Sequence, residues 1–563
     1  MTGFSMPRTY LWAALVTSLI SAPAQAGDAR FGDFAYSGKS HESALARPGP
    51  GQFVNPVISG YAPDPSIERV GDDYYMVTSS FVHFPGLPVY HSKDLVTWRQ
   101  IGNAIDRPSQ ADFSGTKVSG GMMAPAISYH DGLYYIVCTN RKNFVITAKN
   151  PAGPWSEPVY FEFDGIDPSL FWDDDGKAYI VNNGDPKQPP LYDGHRSIWL
   201  QEFDPKTRTM TGPRLEIING GADLAAKPFW TEAPHVYKKD GYYYLIAAQG
   251  GTGDQHSEVV FRSRALAGPY ENYQGNPILT QRDLPADRPH AIGTAGHADF
   301  VQTPDGKWWS VFLATRNYGP DLYNIGRETY LLPVTWKDGW PLILEQGKTV
   351  PFVHERPNLP PSPRPAAPLS GDYAYTDQFE AGKLGLGWIS VRIPGEPRYT
   401  LERGSLVLKA GVGAIGDINS TPSFVGRKQA HAIASVSTQL RYQAERAGDR
   451  AGLVAMQSDD AYLFLGVQWR NGKQEVALSI RKNAQDPQAG RLVASAPLPA
   501  GAGNQPVYLK LSIDGGTLGA AYALRNDEWK SLATRHDATF LSTKLAGGFV
   551  GTVLGLYNQK GIP

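Results

Sequence analysis

The chain has 563 residues, of which 53 are basic and 54 acidic, so its formal net charge is −1. One hydrophobic core rarely serves so long a chain, and we expect two or more domains. A nearly neutral chain lacks the basic surface of a nucleic-acid-binding protein. Abundant glycine (60), proline (45) and aromatic residues (11%), with only 19% charged residues, favour an all-β fold over a helical bundle or a disordered chain.

The N-terminus has the pattern of a secretory signal peptide. Arg8 precedes an apolar run over 10–20, which is too short to span a bilayer. The small-x-small sequence at 24–26 then matches a cleavage site. We predict a signal peptide over 1–26, export to the periplasm or the cell exterior, and no other membrane segment; an uncleaved anchor is the alternative. The single cysteine, Cys138, excludes an internal disulfide and is expected to be a buried core residue.

A repeat follows an N-terminal extension over 27–50. Each copy is a strand, a turn that is Asp-Gly in four of five copies, and an aromatic-rich strand. The turn and second strand of each copy lie at 71–77, 130–137, 174–181, 239–246 and 304–311. Asp-Gly between strand-like runs is a strong hairpin signal. A further strand follows several hairpins, so the repeat predicts a five-bladed β-propeller over 51–355; a large sandwich with accidental hairpins is the alternative.

The composition changes after the repeats. Six prolines lie within 356–370, which predicts a stiff, extended linker. Beyond it, alternating apolar runs separated by turns predict a second antiparallel domain over 371–563. Its short strands are typical of a two-sheet β-sandwich.

Acidic residues recur where the first strand of each repeat begins, which is where propellers usually bind ligands around the central channel. The five positions are Asp64, Ala124, Asp167, Glu232 and His297. An Asp-Pro pair alone is a common turn. Three carboxylates at one position of a repeat are harder to explain structurally, because burying a carboxylate is costly. We therefore predict a site built from these residues.

These motifs resemble glycoside hydrolase family 43. The resemblance runs from Asn55 to Leu344 and includes APDPSI, IDPSLF, TEAPHV, GHADFV and IGRETY. The distal domain is similar to the concanavalin-like β-sandwich that follows the propeller in β-xylosidases. The resemblance implies an inverting mechanism, in which Asp64 is the general base and Glu232 the general acid. It also implies that Asp167 is the third carboxylate, which holds the acid and raises its pKa.

Further residues follow from the same resemblance. Arg327 would contact sugar hydroxyls; an ion pair with Glu328 at the surface is the alternative. His297 would lie beneath the sugar and could help to hold a hydrated calcium ion, although calcium prefers oxygen ligands. Phe81 would form an aromatic wall of the pocket; simple core packing is the alternative. Met123 stands where relatives usually have Trp, in a position to contact substrate.

Two other features concern the rim of the predicted pocket. His83 stands where many xylosidases have Trp, so the stacking surface is expected to differ. The Gly-rich loop over 247–256 lacks the strand-to-helix context of a phosphate site and is predicted to lie at the pocket rim.

The predicted function is an exo-acting, inverting glycosidase that needs no cofactor. It would release terminal β-D-xylosyl or α-L-arabinofuranosyl units from xylo- and arabinoxylo-oligosaccharides. An endo-arabinanase is one alternative, although the second domain favours a capped pocket over an open groove. A lectin-like propeller is another, but lectins would repeat the same residues in each blade, and here the five residues differ.

Overall fold

The computed structural model describes residues 27–44, 47–499 and 505–561, so the predicted signal peptide lies outside the described residues. Almost all regular structure in them is β-strand, which confirms the predicted all-β class. The short helices are the α-helix Thr543–Ala546 and the 3₁₀ turns Glu42–Ala44, Pro108–Gln110, Leu224–Ala226 and Thr539–Leu541. Over the described ranges, no helix has the length and apolarity needed to cross a membrane.

Five antiparallel sheets follow one another along the chain. Each begins with the hairpin that the repeat predicts. Their strands are Ser66–Val70, Asp73–Val77, Gly86–Ser92 and Arg99–Ile105 in the first sheet; Met123–His130, Leu133–Asn140, Lys142–Ala148 and Val159–Tyr160 in the second; Ser169–Trp172, Ala178–Gly184, Ser197–Asp204 and Thr209–Asn219 in the third; Glu232–Lys239, Tyr242–Gln249, Ser257–Ser263, Glu271–Asn272 and Leu279–Thr280 in the fourth; and Ile292–Gln302, Trp308–Arg316, Glu328–Lys337 and Trp340–Leu342 in the fifth.

The first strands of the five sheets form a closed ring. Each contacts the first strand of the next sheet, and the first strand of the fifth sheet returns to contact that of the first. The starts of these strands therefore meet around one axis. Residues that are more than 200 positions apart in sequence, such as Asp64 and Arg327, become neighbours there.

One residue with left-handed backbone conformation lies near the start of the first strand in four of the sheets, and within the strand Ile292–Gln302 in the fifth. These residues are Asp64, Ala124, Asp167, Ala233 and His297, with φ between 46° and 56°. In the second, fourth and fifth sheets the strand register shifts at this residue, which marks a β-bulge. Such bulges re-aim side chains at the end of a strand. The fourth repeat differs from the sequence prediction, because Ala233 holds the repeated conformation and Glu232 lies one residue earlier.

The C-terminal domain has two sheets that pack face to face around a core containing Leu440, Leu509, Leu453 and Leu465. The nine-stranded sheet contains Ala29–Phe31, Phe34–Lys39, Tyr373–Asp377, Tyr399–Leu401, Leu406–Leu408, Ile433–Arg441, Val507–Asp514, Thr517–Ala523 and Lys530–Asp537. The six-stranded sheet contains Ser423–Lys428, Arg450–Ser458, Ala461–Arg470, Lys473–Arg481, Arg491–Pro497 and Val553–Gln559. Two strands of the predicted N-terminal extension therefore complete a sheet of the distal domain.

The two halves of the chain share contacts. Phe81 and Val77 lie in one apolar cluster with Phe464 and Tyr557 of the six-stranded sheet. The strand His83–Phe84 pairs with Ser390–Val391 of the distal domain, whereas Gln52–Val54 pairs with Val353–Glu355 within the first half. Segment 356–370 contains no helix or strand. This packing fixes the distal domain beside the ring of first strands.

Candidate active site

A pocket of about 330 Å³ opens where the first strands begin. All seven residues predicted to form the site line it. They are Asp64, Phe81, Met123, Asp167, Glu232, His297 and Arg327. The closed ring brings them together although they come from different repeats.

Asp64 is buried, and both of its carboxylate oxygens accept a hydrogen bond. Its Oδ1 accepts a hydrogen bond from Arg327 Nη1 at 2.9 Å, and its Oδ2 accepts one from Ser79 Oγ at 2.5 Å. His297 Nδ1 lies 3.5 Å from Oδ1. Burial alone would raise the pKa of Asp64, but Arg327, His297 and the Ser79 hydroxyl together hold it below its ordinary value. Asp64 is therefore a carboxylate at neutral pH.

The pKa values of Glu232 and Asp167 are shifted in the opposite direction, upward. Burial, and then the negative charge of Asp64, raise the pKa of Glu232 to about 7. Burial, Glu232 and Asp64 raise the pKa of Asp167 well above its ordinary value. The sequence predicts an ionised Asp167 that raises the pKa of Glu232. The structure assigns that effect to burial and Asp64 instead, because Asp167 itself tends to keep its proton.

Arg327 joins three parts of the molecule. Besides Asp64, its Nη1 donates to Thr252 Oγ1 at 2.9 Å, and its Nη2 donates to the Phe549 carbonyl at 3.3 Å. The alternative of a surface ion pair with Glu328 is wrong, because Arg327 is buried and Glu328 is held by Arg316 at 2.7 Å. Arg327 thus places a fixed positive charge beside Asp64.

Aromatic and apolar side chains form the walls. Phe81 stacks on Phe549 with ring centroids 6.3 Å apart and planes 16° from parallel. Phe549 belongs to the distal domain, and 43% of its surface is exposed. Met123 lines the pocket, whereas His83 does not line it and is buried, with Nδ1 2.5 Å from the Tyr61 hydroxyl. The replacement at His83 therefore does not alter the pocket surface directly.

Sequence reasoning missed several lining residues. Phe229 and Trp230 lie immediately before the fourth sheet, and the guanidinium of Arg196 stacks on Trp230 at 4.1 Å. The aromatic pair itself was the available signal, since it directly precedes the TEAP motif. Gly251 and Thr252 also line the pocket, which confirms the prediction that loop 247–256 lies at its rim.

His297 was also predicted to help hold a calcium ion. Within the described part of the chain, no three His, Cys, Asp or Glu side chains converge to hold a metal ion. His297 instead approaches Asp64, and burial lowers the pKa of His297 to about 3. The described side chains around His297 do not by themselves supply the oxygen-rich ligand set that calcium prefers.

Two family models match this chain. The model of glycosyl hydrolases family 43 matches residues 53–341, and the model of the β-xylosidase C-terminal concanavalin A-like domain matches residues 376–562. The chain belongs to glycoside hydrolase family 43. Like other members it is a glycosidase, and its distal domain is of the concanavalin-like type.

Relatives of this family 43 chain match over most of their length. A non-reducing end α-L-arabinofuranosidase from Bacteroides ovatus is 38% identical, with 90% of this chain and 91% of the relative covered. A xylosidase/arabinosidase from Butyrivibrio fibrisolvens is 37% identical, with 89% and 95% covered. A solved family 43 structure from a capybara gut metagenome superposes with a TM-score of 0.86 at 36% identity, covering 95% of this chain and all of that one.

The contact between Ser79 and Asp64 leads to a prediction on pH dependence. Ser79→Ala removes a hydrogen bond to the ionised carboxylate, so the pKa of Asp64 rises. If Asp64 acts in its ionised form, the acidic limb of the kcat/KM profile then moves to higher pH. The measurement is this profile on a nitrophenyl pentoside. Ser80→Ala is the matched control, because Ser80 is equally buried but accepts its hydrogen bond from Leu87 N. An unchanged acidic limb in Ser79→Ala would contradict the assignment of that limb to Asp64.

Proposed function

We propose that this family 43 enzyme is an exo-acting, inverting glycosidase. It releases terminal β-D-xylosyl or α-L-arabinofuranosyl units from xylo- and arabinoxylo-oligosaccharides. The observation that carries the mechanism is the pair of opposite pKa shifts in one pocket, with that of Asp64 lowered and that of Glu232 raised to about 7. Two carboxyl groups with pKa values pushed apart are suited to base and acid roles.

The proposed chemistry uses these two groups together. The ionised Asp64 takes a proton from a water molecule as the water attacks the anomeric carbon. Glu232, still protonated, donates its proton to the departing glycosidic oxygen. Arg327 holds Asp64 in its charged form and offers a hydrogen-bonding group at the pocket wall. We propose that Asp167 remains protonated and orients substrate or acid rather than supplying charge, and that no cofactor is required.

The choice of sugar is supported by the relatives and by the pocket. The relatives named above are an arabinofuranosidase and a xylosidase/arabinosidase. The pocket is walled by Phe81, Phe229, Trp230 and Phe549, and aromatic walls suit the apolar faces of a sugar ring. Phe549 of the distal domain forms one wall of the pocket. This wall favours a pocket that accepts the end of a sugar chain over the open groove of an endo-arabinanase.

A panel of nitrophenyl glycosides tests this function. We expect turnover of β-D-xylopyranoside, α-L-arabinofuranoside or both, and release of single pentose units from oligosaccharides. Proton NMR during xylobiose hydrolysis should show the α-anomer of the newly released xylose first. An initial β-anomer would mean retention, and binding of pentosides without turnover would favour a lectin.

Phe549 gives a prediction on the role of the distal domain. Phe549→Ala removes an aromatic wall but leaves the carbonyl that Arg327 contacts. Truncating an aromatic anchor in a binding site costs roughly tenfold or more in affinity, so KM should rise by about that factor while kcat changes less. Leu545→Ala is the control, because Leu545 is 60% exposed nearby and does not line the pocket. Equal kinetics for wild type and Phe549→Ala would remove the distal domain from substrate binding.

We also propose that the five sheets are the blades of a five-bladed β-propeller. The closed ring of first strands supports this architecture. Export to the periplasm or the cell exterior, with cleavage before Gly27, stays a proposal that N-terminal sequencing of the mature protein would test. A calcium ion in the channel and the exact domain boundaries likewise stay predictions.

A further inference from the structure

The Arg196 side chain contacts a wall of the active-site pocket. Its guanidinium lies 4.1 Å from the centre of the Trp230 ring, and Trp230 lines the pocket two residues before Glu232. Arg196 does not line the pocket itself and immediately precedes the strand Ser197–Asp204 of the third sheet. It therefore reaches the site through the Trp230 indole and not through contact with the pocket space.

The segment that precedes this strand holds both aromatic residues of the wall. The Gly194 carbonyl accepts a hydrogen bond from Trp230 N at 2.9 Å, and a Cβ on Gly194 would collide with the Phe229 ring. The Arg196 carbonyl accepts another hydrogen bond, from Gly220 N at 3.1 Å. Trp230 has a φ of 48°, a left-handed conformation that a bulky residue adopts only where its surroundings impose it. The backbone of this segment and the Arg196 guanidinium together fix the orientation of the Trp230 ring.

The charges of Arg196 and Arg327 have different partners. Arg327 donates to Asp64, so its charge is engaged by the carboxylate of the proposed base. Arg196 pairs with Asp185, which is 65% exposed and does not line the pocket. The Arg196 side chain is only 25% exposed, and its Nε is buried with no hydrogen-bond partner among the described residues. Arg196 thus brings a cation to the side of the pocket where Glu232 lies, while its counter-charge reaches into solvent, where screening weakens it.

Four causes set the pKa of Glu232. Burial and then the charge of Asp64 raise it, whereas Arg327 and Arg196 lower it, and the result is about 7. Asp167, the other carboxyl group beside Glu232, tends to keep its proton and adds no charge while it does so. A general acid works best when its pKa lies near the working pH. Without Arg196, burial and Asp64 would raise the pKa of Glu232 further.

We propose that Arg196 is a positioning residue for the general acid, which holds Trp230 beside Glu232 and places a second cation on the acid side of the pocket. This inference rests on the proposed role of Glu232. The stack and the charge can be separated by substitution. Methionine keeps an apolar stem without the charge, and lysine keeps the charge without the planar guanidinium. The two variants should therefore change different measurements.

The experiment combines carboxyl NMR titration of Glu232 with pH profiles of kcat/KM on a nitrophenyl pentoside. Arg196→Met removes a charge that favours the ionised form of Glu232. The pKa of Glu232 and the alkaline limb should therefore both move to higher pH, by roughly half a unit. Arg196→Lys should leave both where they are in wild type, but KM should rise by roughly two- to tenfold because the stack on Trp230 weakens.

Arg214→Met is the matched control. The Arg214 guanidinium lies 4.6 Å from the centre of the Trp199 ring, pairs with Asp164, and its side chain is 23% exposed. It belongs to the same sheet but does not line the pocket and is not among the groups that shift the pKa of Glu232. Arg214→Met should therefore behave like wild type in both measurements.

Asp185→Asn covers the case in which Arg196→Met fails to fold, because Asp185 is exposed. Removing this counter-charge leaves the charge of Arg196 uncompensated. The pKa of Glu232 and the alkaline limb should then move to lower pH, the opposite direction, and added salt should reduce the shift. An unchanged Glu232 titration in both Arg196→Met and Asp185→Asn would overturn the inference. An equal shift in Arg214→Met would overturn it as well.

The two measurements distinguish this inference from the proposed function. An alkaline limb that is lost in Glu232→Gln but does not move in Arg196→Met would overturn the inference and leave Glu232 as the acid. A Glu232 titration that moves in Arg196→Met while the limb stays would support the effect of Arg196 on Glu232 and remove Glu232 from the acid role.

Discussion

Asp64→Asn is expected to reduce turnover on an unactivated xylo-oligosaccharide by a factor on the order of 10² to 10⁴ or more. The amide is nearly isosteric but cannot take a proton from water. It can still accept a hydrogen bond from Arg327 or Ser79, so sugar binding should be largely retained. The measurements are kcat on xylobiose and the affinity for xylose.

This substitution has a second, independent consequence. The charge of Asp64 is one of the two causes that raise the pKa of Glu232. Removing that charge should lower the pKa of Glu232, which can be followed by carboxyl NMR titration. Asp94→Asn is the matched control. Asp94 is also buried, accepts a hydrogen bond from a serine hydroxyl and pairs with an arginine, but lies outside the pocket. Near-normal activity of Asp64→Asn on xylobiose would exclude Asp64 as the base.

Glu232→Gln is expected to separate substrates by their leaving groups. A sugar alkoxide leaves poorly without protonation, so turnover of xylobiose should fall on the order of 10² to 10⁴-fold. Nitrophenolate leaves with little protonation, so the nitrophenyl xyloside should lose far less rate. The comparison is made on the chemical step, by single-turnover kinetics.

The pH profile supplies the second half of this prediction. The general acid works in its protonated form, and the pKa of Glu232 is raised to about 7. Wild-type activity should therefore fall as pH rises through about 7, and Glu232→Gln should lose this alkaline limb on the activated substrate. Glu258→Gln is the control, because burial also raises the pKa of Glu258, which does not line the pocket. If Glu232→Gln slows the hydrolysis of xylobiose and of the nitrophenyl xyloside by the same factor, Glu232 is not the general acid.

Much of the site could be predicted because its residues belong to a repeat. Asp64 and Asp167 directly precede first strands, so their common position is visible in the sequence. The TEAPHV motif predicts Glu232 as a site residue, but in the structure Glu232 lies one residue before the repeated position. Ala233 takes the left-handed conformation, and only the bulge in the fourth sheet reveals this offset.

The charge state of Asp167 shows why the rest could not be predicted. Motifs that bring several carboxyl groups into one site predict that their pKa values are perturbed. They do not predict which group keeps its proton. That depends on burial and on where the cations lie. Arg327 contacts Asp64 and not Asp167, so Asp64 is the group that ionises.

The sequence by itself determined the all-β class, the hairpin of each repeat, the family and seven of the residues that line the pocket. It could do so because turns, the alternation of apolar and polar residues in strands, and short motifs each depend on a few consecutive residues. Only the tertiary structure decided that Phe549 contributes a wall of the pocket and that the N-terminal strands complete the nine-stranded sheet. These contacts join segments hundreds of residues apart. They depend on how separate sheets pack against each other, and a local sequence pattern does not specify that packing.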